Sequence, residues 1–148
     1  LEFSAQTGGL DTIVVACGGG GLAAGVACAI GTKTRVVVVE TETTNAYAAA
    51  VHTGKPVDVT VSGVAADALG ATRIGDLAWR SLSAVDAGSV LVTDDEVLDA
   101  REHLWREFRI VVEASAATTA AALLSGRYFP AVGERVCVLL CGANTSHS

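Results

Sequence analysis

The feature that most constrains the fold is a run of four consecutive glycines at residues 18–21. Before this run, residues 12–17 are apolar and rich in β-branched side chains, which is typical of a buried strand. Residues 22–30 after it are small and apolar, which is typical of a helix. Glycines in this position leave backbone N–H groups unobstructed, and the helix directs the positive end of its dipole toward them. We therefore expect an anion site here, most readily filled by a phosphate ester.

Strand-like and helix-like segments alternate along the rest of the chain. Residues 35–40 and 135–141 are continuous apolar strands, and residues 89–92 predict another. Strands this uniformly apolar indicate a parallel sheet covered on both faces. Helices are predicted between them over 44–51, 73–81, 94–108 and 115–124. The sequence therefore predicts an α/β fold, a three-layer sandwich with a mainly parallel sheet, forming a single domain over residues 1–148.

The helix over residues 94–108 supports two local predictions. Thr93 followed three residues later by Glu96 is the pattern of a capping box at the helix start. Apolar residues recur along this helix at the spacing of one buried stripe, and Trp105 and Phe108 belong to that stripe. We therefore expect both aromatic rings to pack in the core.

Composition and charge exclude several classes of protein. The chain has 10 basic and 16 acidic residues and no basic cluster, so nucleic acid is not an expected partner. Residues 13–30 are uncharged, but each glycine costs about 1 kcal/mol relative to alanine in a helix, which argues against a membrane span. We expect a cytoplasmic protein. Four cysteines without metal-ligand spacing are expected to be reduced. Cys17, Cys28 and Cys137 are expected to be buried, and Cys141, at the end of the last strand, is the exception.

Several chemically distinctive residues follow predicted strands. Besides the glycines, Glu40 closes the second strand, Glu113 ends a short extended segment, and the last strand runs into Cys141 and Asn144. Ligands of parallel sheets bind at the carboxyl ends of the strands, so these residues are expected to converge on one crevice. Ser115 is expected to cap the helix that follows Glu113.

One interpretation of the glycines is a dinucleotide site. Gly19, Gly21 and Ala24 fit a GxGxxA pattern, and Glu40 lies where an acid that binds the ribose would be expected. This pattern alone has low specificity. It also assigns no role to Glu113 or to Cys141.

A second interpretation accounts for three motifs together. Gly-Gly-Gly-Gly-Leu at 18–22, Glu-Ala-Ser-Ala-Ala at 113–117 and Cys-Gly-Ala-Asn at 141–144 resemble the pyridoxal-phosphate enzymes of fold type II. The nearest likeness is to the serine/threonine dehydratase family, with serine racemase as a relative. The resemblance covers essentially the whole chain but only the carboxyl-terminal part of the family's catalytic unit. The chain also lacks methionine, so we expect it to be a fragment of a longer catalytic unit.

The resemblance implies a set of cofactor-binding residues. The glycine run and the following amide would bind the cofactor phosphate, Cys141 would face the pyridine nitrogen, Glu113 would lie beside the ring, and Asn144 would close the last motif. Glu40 corresponds to an acid that binds a divalent cation in some relatives. The second acid of that site would be expected near Ala46, which is not acidic, so no metal site is predicted. The predicted cofactor-binding residues are Gly18, Gly19, Gly20, Gly21, Leu22, Glu113, Cys141 and Asn144.

The family's catalytic lysine, which holds the cofactor as a Schiff base, has no counterpart here. Lys33 and Lys55 lie in predicted turns, so no catalytic residue is assigned within this chain. The predicted function is the cofactor-binding part of a dehydratase that eliminates and deaminates a hydroxy amino acid, inactive without the lysine-bearing part. Alternatives are a dinucleotide-binding domain or a noncatalytic remnant that binds a phosphate ligand. Expected partners are the amino-acid substrate, the amino-terminal part and a second copy in a homodimer.

Overall fold

The computed structural model describes residues 2–146, which are organised around a four-stranded sheet. The strands lie in the order β3-β2-β1-β4, and every neighbouring pair is parallel. All four carboxyl ends therefore lie at one edge of the sheet. The strands are β1 Thr12–Ala16, β2 Arg35–Thr41, β3 Gly88–Val92 and β4 Val136–Val138.

Seven helices connect and cover these strands in the described part of the chain. The first of them begins at Glu2, and Leu1 lies outside the described residues. The helices are α1 Glu2–Thr7, α2 Gly21–Ile30, α3 Ala46–Thr53, α4 Ala66–Leu69, α5 Asp76–Ala84, α6 Asp94–Phe108 and α7 Ala114–Leu124.

The sheet is buried on both faces, as its valine-rich strands predict. Val36 and Val38 of β2 pack with α2, α3 and α5, whereas Val37 and Val39 of the same strand pack with α6 and α7. None of these four side chains is more than 2% exposed. Each contributes about 1.5–3 kcal/mol through burial. The predicted α/β three-layer sandwich is confirmed, whereas its extent as a single domain over 1–148 stays a prediction.

The last strand is shorter than the sequence predicts. It ends at Val138, and Leu139 makes one more sheet-like hydrogen bond, from its backbone N–H to the carbonyl of Val14 at 3.0 Å. The chain then leaves the sheet, two residues before the neighbouring strand β1 ends at Ala16. Cys141 consequently lies on an irregular segment.

Helix α6 confirms one prediction and corrects another. Thr93 Oγ1 accepts from the N–H of Glu96 while the carboxylate of Glu96 accepts from the N–H of Thr93, which completes the capping box. The expected burial of Trp105 and Phe108 is wrong: Trp105 is half-buried and Phe108 is 62% exposed. The stripe that packs on the sheet is narrower and consists of Val97, Ala100 and Leu104.

The cysteines are free, but the burial expected of three of them holds for Cys17 alone. Cys28 and Cys141 are exposed, and Cys137 is half-buried. Cys28 follows the buried Ala27 on α2 and falls on the side of that helix turned away from the sheet. Within residues 2–146, no helix has the length and apolarity needed to cross a membrane.

Candidate cofactor-binding crevice

A cavity of about 260 Å³ lies at the carboxyl edge of the sheet. Residues 18–21, which we call the glycine loop, line it together with Leu22 and the end of β1. Glu113 and Cys141 line its other side, so the structure brings most of the predicted site residues together. Asn144 lines an adjacent hollow instead, which shares Glu113 with the crevice.

Close packing of the glycine loop excludes larger residues at two positions. Gly20 has a φ of +90°, and a Cβ there would lie 2.6 Å from the Cβ of Ala78. A Cβ on Gly18 would lie 2.9 Å from the Cα of Leu69. A side chain at either position would have to displace a neighbouring helix.

Hydrogen bonding in the glycine loop leaves its donors available. The carbonyl of Gly19 accepts from the N–H of Gly75 at 3.1 Å, and the carbonyl of Gly20 accepts from the N–H of Ala24 at 2.8 Å. Within the described residues, no group accepts a hydrogen bond from the N–H groups of residues 18–22. Five unpaired donors at the start of α2 could hold an anion.

The third side of the crevice comes from the segment between α3 and α5. Ala68 and Leu69 of the short helix α4 line the cavity, so the segment is a site wall. Asp94 anchors it by accepting from the N–H of Val64 and from Thr43 Oγ1, each at 3.2 Å. Sequence reasoning missed these wall residues, because small apolar side chains carry no chemical signature.

Glu113 is held by contacts with two other segments. It is itself the N-cap residue of α7, so the prediction that Ser115 caps this helix is wrong. Ser115 lies in the first turn and donates from Oγ to Oε1 of Glu113 at 2.8 Å. The N–H of Glu113 donates to the carbonyl of Gly142 at 3.2 Å, and a Cβ on Gly142 would overlap the Glu113 carboxylate.

The thiol of Cys141 opens into the same crevice. Partial burial of the thiol raises its pKa above the ordinary value of 9.0, and the negative charge of Glu113 raises it further. The thiol is therefore protonated and uncharged at neutral pH. A neutral thiol is a weak hydrogen-bond donor and acceptor.

Glu40 does not line the crevice, contrary to the expected convergence. Its side chain is 1% exposed, and its two oxygens accept from the N–H groups of Tyr47 at 2.7 Å and Ala48 at 2.8 Å, at the start of α3. Burial raises the pKa of Glu40 to about 7, against the lowering effect of these two bonds. Because both oxygens are engaged within the chain, Glu40 does not fit the role of a ribose-binding acid.

Neither lysine of the chain reaches the crevice. Lys33 follows the carboxyl end of α2, opposite to the glycine loop, and Lys55 follows α3. Both are exposed, and neither lines the cavity. The geometry agrees with the prediction that they are turn residues.

Comparison with known proteins identifies relatives along nearly the whole chain. The family described as pyridoxal-phosphate dependent enzyme matches residues 1–142. A phenylserine dehydratase of Ralstonia pickettii is 35% identical over 147 residues, and a catabolic L-threonine dehydratase of Escherichia coli (strain K12) is 32% identical over 148 residues. Each alignment covers 97% of this chain but 45% of the relative. The chain thus spans less than half the length of these relatives.

Solved structures give the same result. Maize serine racemase superimposes with a TM-score of 0.87 at 28% identity, over 98% of this chain and 46% of that structure. A threonine deaminase from T.th. superimposes with a TM-score of 0.86 at 26% identity, over 98% of this chain and 53% of that structure.

The crevice fits the cofactor of this family. Pyridoxal phosphate combines a phosphate ester with a flat aromatic ring, and residues 18–22 offer five N–H donors, four of them on glycines without side chains. Cys141 and Glu113 add polar groups on the opposite side of the same cavity. The dinucleotide alternative is not favoured, because its acidic residue is buried elsewhere. By sequence and by fold, the chain belongs to the family of pyridoxal-phosphate dependent enzymes.

Proposed function

We propose that this chain is the cofactor-binding part of a pyridoxal-phosphate dependent dehydratase acting on a β-hydroxy amino acid. The observation that supports this most directly is the set of five unpaired N–H groups in residues 18–22, which faces Glu113 and Cys141 across one cavity. The dehydratase relatives are named for phenylserine and L-threonine, both of which have a hydroxyl group on the β-carbon. Loss of that hydroxyl as water, followed by deamination, is the reaction we assign to the complete protein.

Each part of the crevice has a defined task in this proposal. The N–H groups of residues 18–22 bind the phosphate ester and so fix one end of the cofactor. When bound, pyridoxal phosphate withdraws electrons from the α-carbon of the amino acid. Cys141 would face the ring nitrogen as a neutral thiol, which would withdraw electrons less strongly than an acid would and so suit loss of the β-hydroxyl. Glu113 would lie beside the ring, and Asn144 would close the segment that carries Cys141.

The phosphate site can be tested with a pair of variants at one position. A Cβ on Gly19 meets only the Cβ of Ala71, at an ordinary 3.7 Å, so this glycine accommodates a side chain. We expect Gly19→Asp to weaken pyridoxal phosphate binding at least tenfold relative to Gly19→Asn, because the two side chains have the same shape and only Asp repels phosphate. Binding is measured by the change in cofactor fluorescence on titration. Equal affinities for the two variants would contradict the proposed phosphate site.

A second experiment tests the assignment of the lysines. After addition of pyridoxal phosphate and reduction with borohydride, we expect no stoichiometric adduct at Lys33 or Lys55 by peptide mass spectrometry. The 148-residue chain alone should then release no 2-oxo acid from threonine, serine or phenylserine, whereas the longer protein should. Stoichiometric labelling of either lysine would overturn this assignment. A cytoplasmic location, a homodimer and a contribution from an amino-terminal part are further parts of the proposal.

A further inference from the structure

Two irregular segments meet at the side of the crevice opposite to the glycine loop. One is residues 109–113, which connects α6 to α7 and ends in Glu113; the other is residues 139–146, which includes Cys141. Neither segment belongs to a strand or helix, and the second still bonds to the sheet at Leu139, so the hydrogen-bond ladders of the fold do not by themselves fix the separation of Glu113 and Cys141. Some other contact must determine how Glu113 is placed relative to Cys141.

Arg101 makes contact with both segments from the middle of α6. Its Nε donates to the carbonyl of Val112 at 3.1 Å, and its Nη2 donates to Oγ1 of Thr145 at 3.3 Å. Within residues 2–146, Arg101 forms no ion pair with a carboxylate. Its charged group is therefore used for these two hydrogen bonds.

The contact with Val112 has a specific geometric consequence. Val112 is 5% exposed, and its carbonyl belongs to the same peptide unit as the N–H of Glu113. Arg101 binds the carbonyl of that peptide unit, and the carbonyl of Gly142 accepts from its N–H at 3.2 Å. Because Gly142 and Thr145 lie on the same segment, these contacts form a closed ring that fixes the peptide plane before Glu113.

We propose that Arg101 is a positioning residue that closes this ring and thereby sets the placement of the Glu113 carboxylate beside Cys141. The proposal deepens the proposed function, because it rests on that pair of residues as one side of the cofactor crevice. A guanidinium is suited to the task, since its planar fork directs two donors at fixed angles, whereas a lysine ammonium is a single point charge. Arg101 itself acts through Glu113 and does not line the crevice.

The test measures how strongly the Glu113 charge acts on the Cys141 thiol, without any cofactor. The rate of alkylation at Cys141 is followed against pH by peptide mass spectrometry in wild type, Glu113→Gln, Arg101→Met and the double variant. We expect Glu113→Gln to lower the pKa of Cys141 in the wild-type background, and this shift to fall to less than half when Arg101 is Met. Arg106→Met is the matched control, because Arg106 lies on the same helix and, within residues 2–146, pairs only with Glu107.

A double-variant cycle of this kind isolates the coupling from the separate effects of each change. If Glu113→Gln shifts the Cys141 pKa equally in the wild-type and Arg101→Met backgrounds, Arg101 does not position Glu113. Should Arg101→Met fail to fold by circular dichroism, Thr145→Val removes the outer hydrogen bond of the ring, together with the bond from Thr145 Oγ1 to the carbonyl of Ser146 at 3.4 Å. An unchanged Glu113 effect in that variant would likewise overturn the proposal. Failure of the chain to bind pyridoxal phosphate would contradict the proposed function but leave this result standing.

Discussion

The two ends of the crevice are built by different means. At the glycine end, the backbone of Gly18 and Gly20 packs against α4 and α5 so closely that a Cβ would clash. At the carboxylate end, which we define as Glu113, Ser115 and Cys141, the Glu113 side chain accepts a hydrogen bond from Ser115 in the first turn of α7, and Cys141 lies on an irregular segment that lines the same cavity. One end is fixed by packed backbone, and the other depends on a hydrogen bond between side chains.

This difference predicts different responses to change. Packed backbone cannot give way without moving whole helices, so disturbance at the glycine end should reduce the stability of the fold. Hydrogen-bonded side chains can rotate away, so disturbance at the carboxylate end should change local reactivity while the fold persists. The predictions below test this distinction.

Gly20→Ala should have the largest effect. The new Cβ would lie 2.6 Å from the Cβ of Ala78 in a backbone with a φ of +90°, so it adds both overpacking and backbone strain. Together these should lower the free energy of unfolding by about 2–5 kcal/mol, which urea denaturation would measure. Gly25→Ala is the control, because a Cβ there meets nothing within 4 Å, and it should stabilise α2 by about 0.5–1 kcal/mol. Equal effects of the two substitutions would contradict a packed glycine end.

Behind the glycine end, Glu40 should make the stability of the fold depend on pH. Its pKa is about 7 in the folded protein against an ordinary 4.5, so the folded state binds the proton more tightly than the unfolded state. The resulting stabilisation is complete below about pH 4.5 and is lost as the pH rises through 7, a total of about 3 kcal/mol. Glu40→Gln should remove this loss of stability between pH 4.5 and 7 in denaturation curves.

The control for this experiment is Glu42→Gln, which changes an exposed carboxylate two residues away. The Glu42 variant should keep the wild-type dependence on pH. If stability in the Glu40 variant depended on pH as in the wild type, another group would cause that dependence. Loss of the dependence in the Glu40 variant alone would separate the glycine end, where pH acts on global stability, from the carboxylate end.

The sequence predicted those features that depend on neighbouring residues. The capping box of Thr93 and Glu96 spans four residues, and the strand, glycine loop and helix start span about twenty, so local patterns sufficed. The alternation of buried strands and helices likewise predicted the three layers. These features are properties of chain segments, and tertiary contacts do not alter them.

The errors concern contacts between segments that are distant in sequence. Spacing placed Phe108 on the apolar side of α6, but it could not show that the sheet contact ends before the last turn of that helix. Ser115 is a good capping residue by type, but α7 begins at Ala114, one residue before the predicted start, with Glu113 as its N-cap. The N–H of Glu113 bonds to Gly142, 29 positions later, and no local pattern shows that contact. The role proposed for Arg101 depends on contacts with residues 11 and 44 positions away, which no local pattern shows.

Gly142→Ala should have a smaller effect on stability than Gly20→Ala, although both add one methyl group to a glycine. The new Cβ would overlap the Glu113 carboxylate, which is the far end of a flexible side chain and can rotate away. The expected cost is the hydrogen bond from Ser115, about 1 kcal/mol in urea denaturation. Because the negative charge of Glu113 moves away from Cys141, the pKa of that thiol should fall and its alkylation at about pH 8 should become faster.

Gly88→Ala provides the comparison for this last substitution. A Cβ there would meet Val37 Cγ2 at an ordinary 3.6 Å and has no contact with the carboxylate end, so the alkylation of Cys141 should not change. A loss of stability in Gly142→Ala as large as that in Gly20→Ala would mean that the carboxylate end is as rigid as the glycine end. A small loss with faster alkylation would mean that hydrogen-bonded side chains set the electrostatics at Cys141, while packed backbone fixes the phosphate site.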